Sequence, residues 1–367
     1  MKLLVTNLVE ENETFQKTLV SDRIIYDVPF PSTRFQGSKR RVIKWIKKQA
    51  MNFEFNSVLD CFGGTGIVSH LFKRLEKQVT YNDYLRSNVV MAKALIENRD
   101  VTISTKKIAD LFHQTNPPYD DFVQRTFQDI YYTDAENKQI DIVTQNIHLI
   151  ENEYERGLAF FALFQACLIK RPYNLFHRKN LYMRTSDVER SFGNKTTWER
   201  PFDELMIQFA NEANKAVFDN GKDNTVLNRD ALSITQQDYD LIYVDTPYIS
   251  PKGVGVDYHH FYHFLEGLVQ YDVWKEQVDF KSKHRRLRSI DNPWHDKDRI
   301  YEAFNMLFEE FRNSIIMVSY RSPGIPSIDE LEEILLKYNK DVQIFEKKHQ
   351  YVLSKRRRSH EVLLIAI

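Results

Sequence analysis

The stretch 241–248, Leu-Ile-Tyr-Val-Asp-Thr-Pro-Tyr, decides how this chain is read. Residues 241–245 form a short apolar run that ends on a carboxylate, and a Thr-Pro-Tyr turn follows at once. A run of that length and composition predicts a buried strand. In a parallel α/β sheet, ligands and chemistry gather at the carboxyl ends of the strands. Asp245 can accept a hydrogen bond from an amino group, the carbonyl of Thr246 can accept a second, and Tyr248 can stack on a flat ring. That set suits an amine on a planar heterocycle. An acidic strand end before an ordinary proline turn accounts for the same residues, so the stretch needs support from elsewhere.

Upstream, residues 57–61 predict a second strand, followed by Phe62-Gly63-Gly64-Thr65-Gly66 and an apolar helix over 67–75. Strand, glycine-rich turn and helix make a nucleotide-type loop, in which missing side chains let the backbone approach a ligand. The spacing is neither G-x-G-x-x-G nor a phosphate loop. Asp60 at the strand end would repel a pyrophosphate, so a cationic or amine-bearing ligand fits better. The next strand, 78–81, ends in Asn82-Asp83, and an acid there suits ribose hydroxyls. A nucleoside with an amino-acid-like cation and no pyrophosphate is S-adenosylmethionine. A tight turn explains the glycines taken alone.

Residues 34–48, RFQGSKRRVIKWIKK, place an aromatic, a glycine and a lysine before a helix with apolar Val42, Ile43, Trp45 and Ile46. Ser38 is positioned to cap that helix. A strand at 225–227 leads to Asn228-Arg229-Asp230, which puts Asp230 at a third strand end. Further strands are predicted at 314–320, 342–345 and 362–367, and helices at 88–98, 153–169, 202–219 and 328–336, the last capped by Ser327. Residues 253–257 form a glycine-rich loop able to order on substrate binding. The histidines of 259–268 read as aromatic packing on a helix rather than as metal ligands. Asn116-Pro117-Pro118-Tyr119 resembles an amine-binding turn, but no apolar strand leads into it. Residues 1–30 read as a leading arm.

Between about 110 and 220 the α/β alternation stops. Lys+Arg equals Asp+Glu at 51 each, so net charge says nothing about partners, but its distribution does. Eight basic residues against three acids fall in 168–200, five against none in 281–288, and six against none in 347–358. Segregated basic patches suit a polyanion. The stretch 170–201 interleaves Arg, Lys, Asn, Tyr, His and Phe with little periodicity, which suits phosphate and base contacts. Arg171, Tyr173, Asn174, Arg178, Lys179, Arg184 and Lys195 are its candidate DNA contacts. Two cysteines suit neither a disulfide framework nor a zinc site, and the chain reads as intracellular and reduced. The most apolar run, 158–169, is too short for a bilayer, and the N-terminus turns acidic too soon for a signal peptide.

Taken in order, Phe35-Gln36-Gly37-Ser38-Lys39, Asp60-Cys61-Phe62-Gly63-Gly64-Thr65-Gly66, Asn82-Asp83, Asn228-Arg229-Asp230 and Asp245-Thr246-Pro247-Tyr248 resemble the motifs of DNA N6-adenine methyltransferases of the alpha group, which includes the Dam-type enzymes. The resemblance covers most of 30–110 and 222–367, while 110–220 matches in position only. It departs from the usual Asp-Pro-Pro-Tyr at Thr246, which removes one fixed φ from the turn. It implies a Rossmann-like methyltransferase fold with a mostly parallel seven-stranded sheet. The catalytic domain would comprise 1–110 and 222–367, with a largely helical target-recognition domain inserted at 111–221. S-adenosylmethionine is the implied cofactor, with no metal. Phe35, Gly37 and Lys39 would line its methionine end. Asp60, Phe62, Gly63, Gly64 and Gly66 would form the pocket floor. Asp83 would hold the ribose, and Asp230 with Ala231 would lie against the adenine. Asp245, the Thr246 carbonyl, Pro247 and Tyr248 would hold a flipped target base. Double-stranded DNA is the implied partner, in the cytoplasm at the nucleoid, with a cognate restriction endonuclease acting separately. Cytosine N4 or RNA adenine remain alternative targets, as does an inactive methyltransferase fold that only binds DNA; the opening Asp245 favours adenine over cytosine, whose enzymes usually open this turn with Ser.

Overall fold

The computed structural model describes residues 17–20, 23–114, 118–187, 195–235, 238–338, 341–349 and 359–367. Most of the leading arm, Asn116 and Pro117, part of the basic-aromatic stretch (188–194) and the basic run 355–358 lie outside them.

Nine strands are present among the described residues. β1 (Lys17–Val20) and β2 (Arg23–Tyr26) form a separate antiparallel hairpin. The others are β3 (Ser57–Asp60), β4 (Gln78–Asn82), β5 (Thr225–Leu227), β6 (Leu241–Val244), β7 (Ile315–Ser322), β8 (Val342–His349) and β9 (Ser359–Ala366). They make one seven-stranded sheet in the order β5-β4-β3-β6-β7-β9-β8. The run from β5 to β7 is parallel, and β9 alone is reversed, antiparallel to both β7 and β8. The mostly parallel seven-stranded α/β sheet expected from the sequence is therefore present.

At the centre of the sheet, β6 is apolar throughout and β3 is apolar at Val58 and Leu59, because both faces are covered there. Along β3 and β6, Val58, Leu241 and Tyr243 enter one buried cluster, while Leu59, Ile242 and Val244 enter the other. The central chain ends are thereby fixed between two packed layers, and the loops after β3, β4 and β6 open on the same edge. α1 (Ile43–Ala50) and α2 (Ile67–Arg74) cover the first face with Ile46, Leu71 and Phe72. α3 (Arg86–Ala92) continues into a wider turn at 93–97.

The insertion is largely helical, with α4 (Asp134–His148), α5 (Glu153–Ile169) and α6 (Phe202–Asn214). Asn152 caps α5 by accepting from the N–H groups of Tyr154 and Glu155. Its residues Phe160, Phe164 and Phe209 share one hydrophobic cluster with Val58 and Leu71 of the sheet layer. Toward the C-terminus, α7 (Tyr258–Phe261) and α8 (His263–Val269) divide the single helix expected over 259–268. α9 (Ile300–Glu310) and α10 (Ile328–Leu336) cover the second face, and Ser327 caps α10 in a reciprocal pair with Glu330. Ser38 makes no capping hydrogen bond; its hydroxyl is buried beside a single 3-10 turn at Lys39–Arg41 that precedes α1. No helix of the described residues is long and apolar enough to cross a membrane.

Candidate active site

Four strand tips, those of β3, β4, β5 and β6, are tied together by backbone and by one side chain. Cys61 N–H donates to the Tyr243 carbonyl at 3.0 Å, and Gly63 N–H donates to the Asn82 carbonyl at 2.8 Å. Asn82 donates to the carbonyls of Cys61 (3.0 Å) and Arg229 (3.1 Å), and accepts from Arg229 N–H at 3.0 Å. Asn82 thus joins the ends of β3, β4 and β5. A buried amide that satisfies three backbone groups fixes geometry at little net cost.

Between these tips lies a cavity of about 270 Å³. Phe35, Gly37, Lys39, Asp60, Phe62, Gly63, Gly64, Asp83, Asp230, Asp245, Thr246, Pro247 and Tyr248 all line it. Gly66 does not, although it starts α2 in a left-handed conformation at φ 79°. The absent side chain at Gly63 is required by close approach, since a Cβ there would lie 2.0 Å from the Tyr81 ring. At Gly37, φ is +85° and a Cβ would lie 2.5 Å from the Tyr258 hydroxyl.

Asp60 is buried, accepts from Ser69 Oγ at 2.6 Å, and carries no hydrogen bond of normal geometry on Oδ1. Burial pushes its pKa up to about 7, with the nearby Asp245 and Asp83 carboxylates adding to the rise. Asp83 is raised to about 6 by burial, against hydrogen bonds from its neighbours. Both its oxygens are engaged: Oδ2 accepts from Gly64 N–H (2.9 Å) and Asn88 (3.1 Å), and Oδ1 from Leu85 N–H (2.8 Å). Asp83 therefore pins the glycine turn to the end of β4. Asp230 caps the short turn after β5 by accepting from Leu232 N–H at 3.0 Å.

At the end of β6, Asp245 accepts from the Tyr248 hydroxyl at 3.0 Å and pairs with the Lys39 ammonium at 2.8 Å. Lys39, 4% exposed, also donates to the Tyr248 hydroxyl and lies 3.9 Å from Glu361 on β9. Burial raises the Asp245 pKa, Lys39 opposes the rise, and Glu361 adds to it. Lys39, expected to line the methionine end of the ligand, lines the cavity and pairs there with the acid of the Asp-Thr-Pro-Tyr turn. A carboxylate fixed by an ammonium and a hydroxyl in a mostly enclosed site is, in its ionised form, a preorganised acceptor for an amine.

Four residues in or beside the cavity wall carry no sequence signal: Tyr258, Tyr262, Trp294 and Glu361. Phe35 stacks on Tyr262 with ring centres 3.8 Å apart, and Gln36 N–H donates to the Tyr262 hydroxyl at 2.7 Å. Tyr258 lies beside both rings, its centre 6.0 Å from Phe35 and 6.3 Å from Tyr262, and lines the cavity. Trp294 meets the Phe62 ring edge to face at 4.8 Å, and residues 290–294 close one wall. Glu361 emerges from the last strand. The charge pattern around Asp245 pointed to none of these.

Of the candidate DNA contacts, two are corrected. Arg171 is 1% exposed, donates to the carbonyls of Leu175 (3.0 Å) and Arg178 (3.1 Å), and lies over the Tyr131 ring. Arg184 is buried against Glu136 at 2.7 Å. Both stabilise the insertion from inside. Arg178 and Lys179 are exposed, as are Tyr173 at 58% and Lys195, which pairs with Glu199 along its helix; Asn174 is half-buried. His263 packs among aromatic rings and contacts the Tyr131 hydroxyl at 2.8 Å.

The sequence profile of the D12 class N6 adenine-specific DNA methyltransferases matches residues 35–351. The chain is 25% identical over 347 residues to the type II methyltransferase M2.HphI of Haemophilus parahaemolyticus, covering 92% of this chain and 98% of that protein. It is 25% identical over 344 residues to the modification methylase StsI of Streptococcus sanguinis, covering 87% of this chain but 48% of that protein. With the type II methyltransferase M.NlaIII of Neisseria lactamica it shares 24% identity over 321 residues, covering 83% of this chain and 88% of that protein.

Proposed function

Because the chain belongs to the D12 class of N6 adenine-specific DNA methyltransferases, we propose that its strand-tip cavity takes S-adenosylmethionine and one adenine extruded from duplex DNA. We also propose that the chain is the modification half of a restriction–modification pair, its endonuclease a separate protein. The observation that carries the reading is a single cavity lined at once by the glycine turn after β3, Asp83 after β4 and Asp245 to Tyr248 after β6. The residues fit the cofactor: Gly63 and Gly64 line the cavity without side chains, and Asp60, which also lines it, has a buried carboxylate oxygen available to a cation. When bound, S-adenosylmethionine supplies an electrophilic methyl on a sulfonium.

An adenine amine is a weak nucleophile because its lone pair is delocalised into the ring. Asp245 and the Thr246 carbonyl accept from its two hydrogens, favour the tetrahedral nitrogen and stabilise the positive charge that develops there. Tyr248 stacks on the extruded ring. Extrusion costs a few kcal/mol, and aromatic stacking returns about 1–3 kcal/mol per base. We assign the DNA-reading role to 111–221, through exposed Tyr173, Arg178, Lys179 and Lys195 together with Asn174. The test is mass spectrometry of nucleosides from duplex DNA incubated with enzyme and S-adenosylmethionine. N6-methyladenine is the expected product, and its absence across varied DNA defeats the reading.

Two predictions concern the cofactor. A bound cation favours the ionised form of Asp60, whose free pKa is about 7. Its pKa therefore falls on binding, protons are released, and affinity rises as pH increases from 6 to 8. Calorimetry at pH 6.5 in buffers of different ionisation enthalpy reads this directly; equal heats in all buffers contradict it. Gly63→Ala forces its new methyl into the Tyr81 ring. It is expected to weaken cofactor binding at least tenfold and to lower the melting temperature, since overpacking typically costs about 1–3 kcal/mol.

A further inference from the structure

The basic run 281–288 has no part in the site described above. In the fold it is the tip of a tight hairpin, closed by a bridge between Val278 and Leu287, both buried. Asp279 N–H donates to the Arg286 carbonyl and Arg288 N–H to the Gln277 carbonyl, each at 2.8 Å. Across the tip, Ser282 N–H donates to the Asp279 carbonyl at 3.0 Å. The hairpin conformation is thus fixed by its own backbone. Asp279 is taken up by Arg286 at 3.5 Å, which leaves Lys281, Lys283 and Arg288 exposed with no acid in the run. Among them stands Phe280, 55% exposed, with the Arg285 guanidinium 5.7 Å from its ring.

The location matters as much as the charge. The Tyr131 hydroxyl contacts the His284 carbonyl at 2.9 Å and the Phe176 carbonyl, so the hairpin sits against the loop that carries Tyr173, Arg178 and Lys179. On its other side Ser289 meets His260 at 3.3 Å, and residues 290–294 run directly into the cavity wall. Cations and an outward aromatic ring therefore line a path that starts at the cavity and continues onto the insertion.

The geometry points to the 278–288 hairpin as a DNA-gripping element beside the extruded base, with its cations on phosphates and Phe280 against sugar or base rings. The inference rests on the DNA-methyltransferase reading and extends the contact surface beyond the insertion. Each phosphate contact releases counterions, so binding through lysines is salt-dependent, whereas a ring contact is much less so. The test is fluorescence anisotropy of a labelled duplex of about 30 base pairs over a salt series, on melting-verified variants. The Lys281→Ala/Lys283→Ala double variant is expected to bind at least tenfold more weakly, with the slope of log affinity against log salt reduced by about 2. Phe280→Ala is expected to weaken binding several-fold at unchanged slope. Lys337→Ala, a charge removed after α10, is expected to bind like wild type. A wild-type chain that binds through the hairpin yet methylates no adenine breaks the functional reading alone. A chain that methylates DNA while the double variant keeps wild-type affinity and salt slope overturns this inference alone.

Discussion

Asp245→Asn is expected to reduce methyl transfer by about 10²–10³-fold or more, the scale seen when one preorganised electrostatic partner is removed from an active site. The shape of the side chain is kept and its charge is lost. The variant amide keeps its oxygen on the Lys39 ammonium and the Tyr248 hydroxyl, which both meet Oδ1, and so puts its N–H₂ group at the Oδ2 position. Two donors then compete for the place where the adenine amine must be held. The ring-stacking surface of Tyr248 and the glycine turn remain, so cofactor binding is expected within a few-fold of wild type. Single-turnover formation of N6-methyladenine, with calorimetry for the cofactor, separates the two effects. Turnover near the wild-type rate would falsify the role given to Asp245.

Lys39→Met is expected to act through pH. Asp245 sits where burial raises its pKa, Lys39 is the largest opposing influence, and Glu361 adds to the rise. Tyr248, Tyr243 and Tyr258 are its other polar neighbours. Removing the ammonium raises the Asp245 pKa further. The acceptor must be ionised to work, so the ionised fraction at neutral pH falls and the acid limb of the kcat/KM profile moves to higher pH. Activity is expected to drop by at least tenfold at pH 7 and to recover in part toward pH 9. Stability is expected to fall too, because removing one partner of a buried pair typically costs about 3–5 kcal/mol. An acid limb that stays in place, in a variant that remains folded, counts against the pairing.

What the sequence made legible is local and repetitive. Apolar runs that end on acids mark β3 and β6, because a strand covered on both faces has little room for polarity until it reaches the edge. The glycines of 63–66 announce a tight turn: Gly63 is approached closely by Tyr81, and Gly64 and Gly66 take positive φ. The missed residues belong to contacts between distant segments. Nothing local distinguishes Glu361 from a surface acid, and nothing near Tyr258 or Trp294 tells a cavity wall from ordinary core. The misread arginines show the same limit. Basic residues among aromatics describe a nucleic-acid surface and an interior cation–π stack equally well, and only burial separates Arg171 from Arg178. Ser38 has the right type and spacing for a cap, yet the chain makes a 3-10 turn there and brings Lys39 inward instead.

The reversed strand β9 has a consequence for how the enzyme tolerates change. Glu361 opposes Arg321 near the end of β7 and is the third residue of its own strand, which starts at Ser359. A slip of one residue in that pairing would turn its carboxylate to the opposite side of the sheet. A slip of two would carry it about 7 Å along the strand. The charge balance around Lys39 and Asp245 therefore depends in part on the alignment of β9. Insertions or deletions in the 350–358 segment that shift this alignment are expected to silence catalysis while leaving the cofactor's own contacts in place.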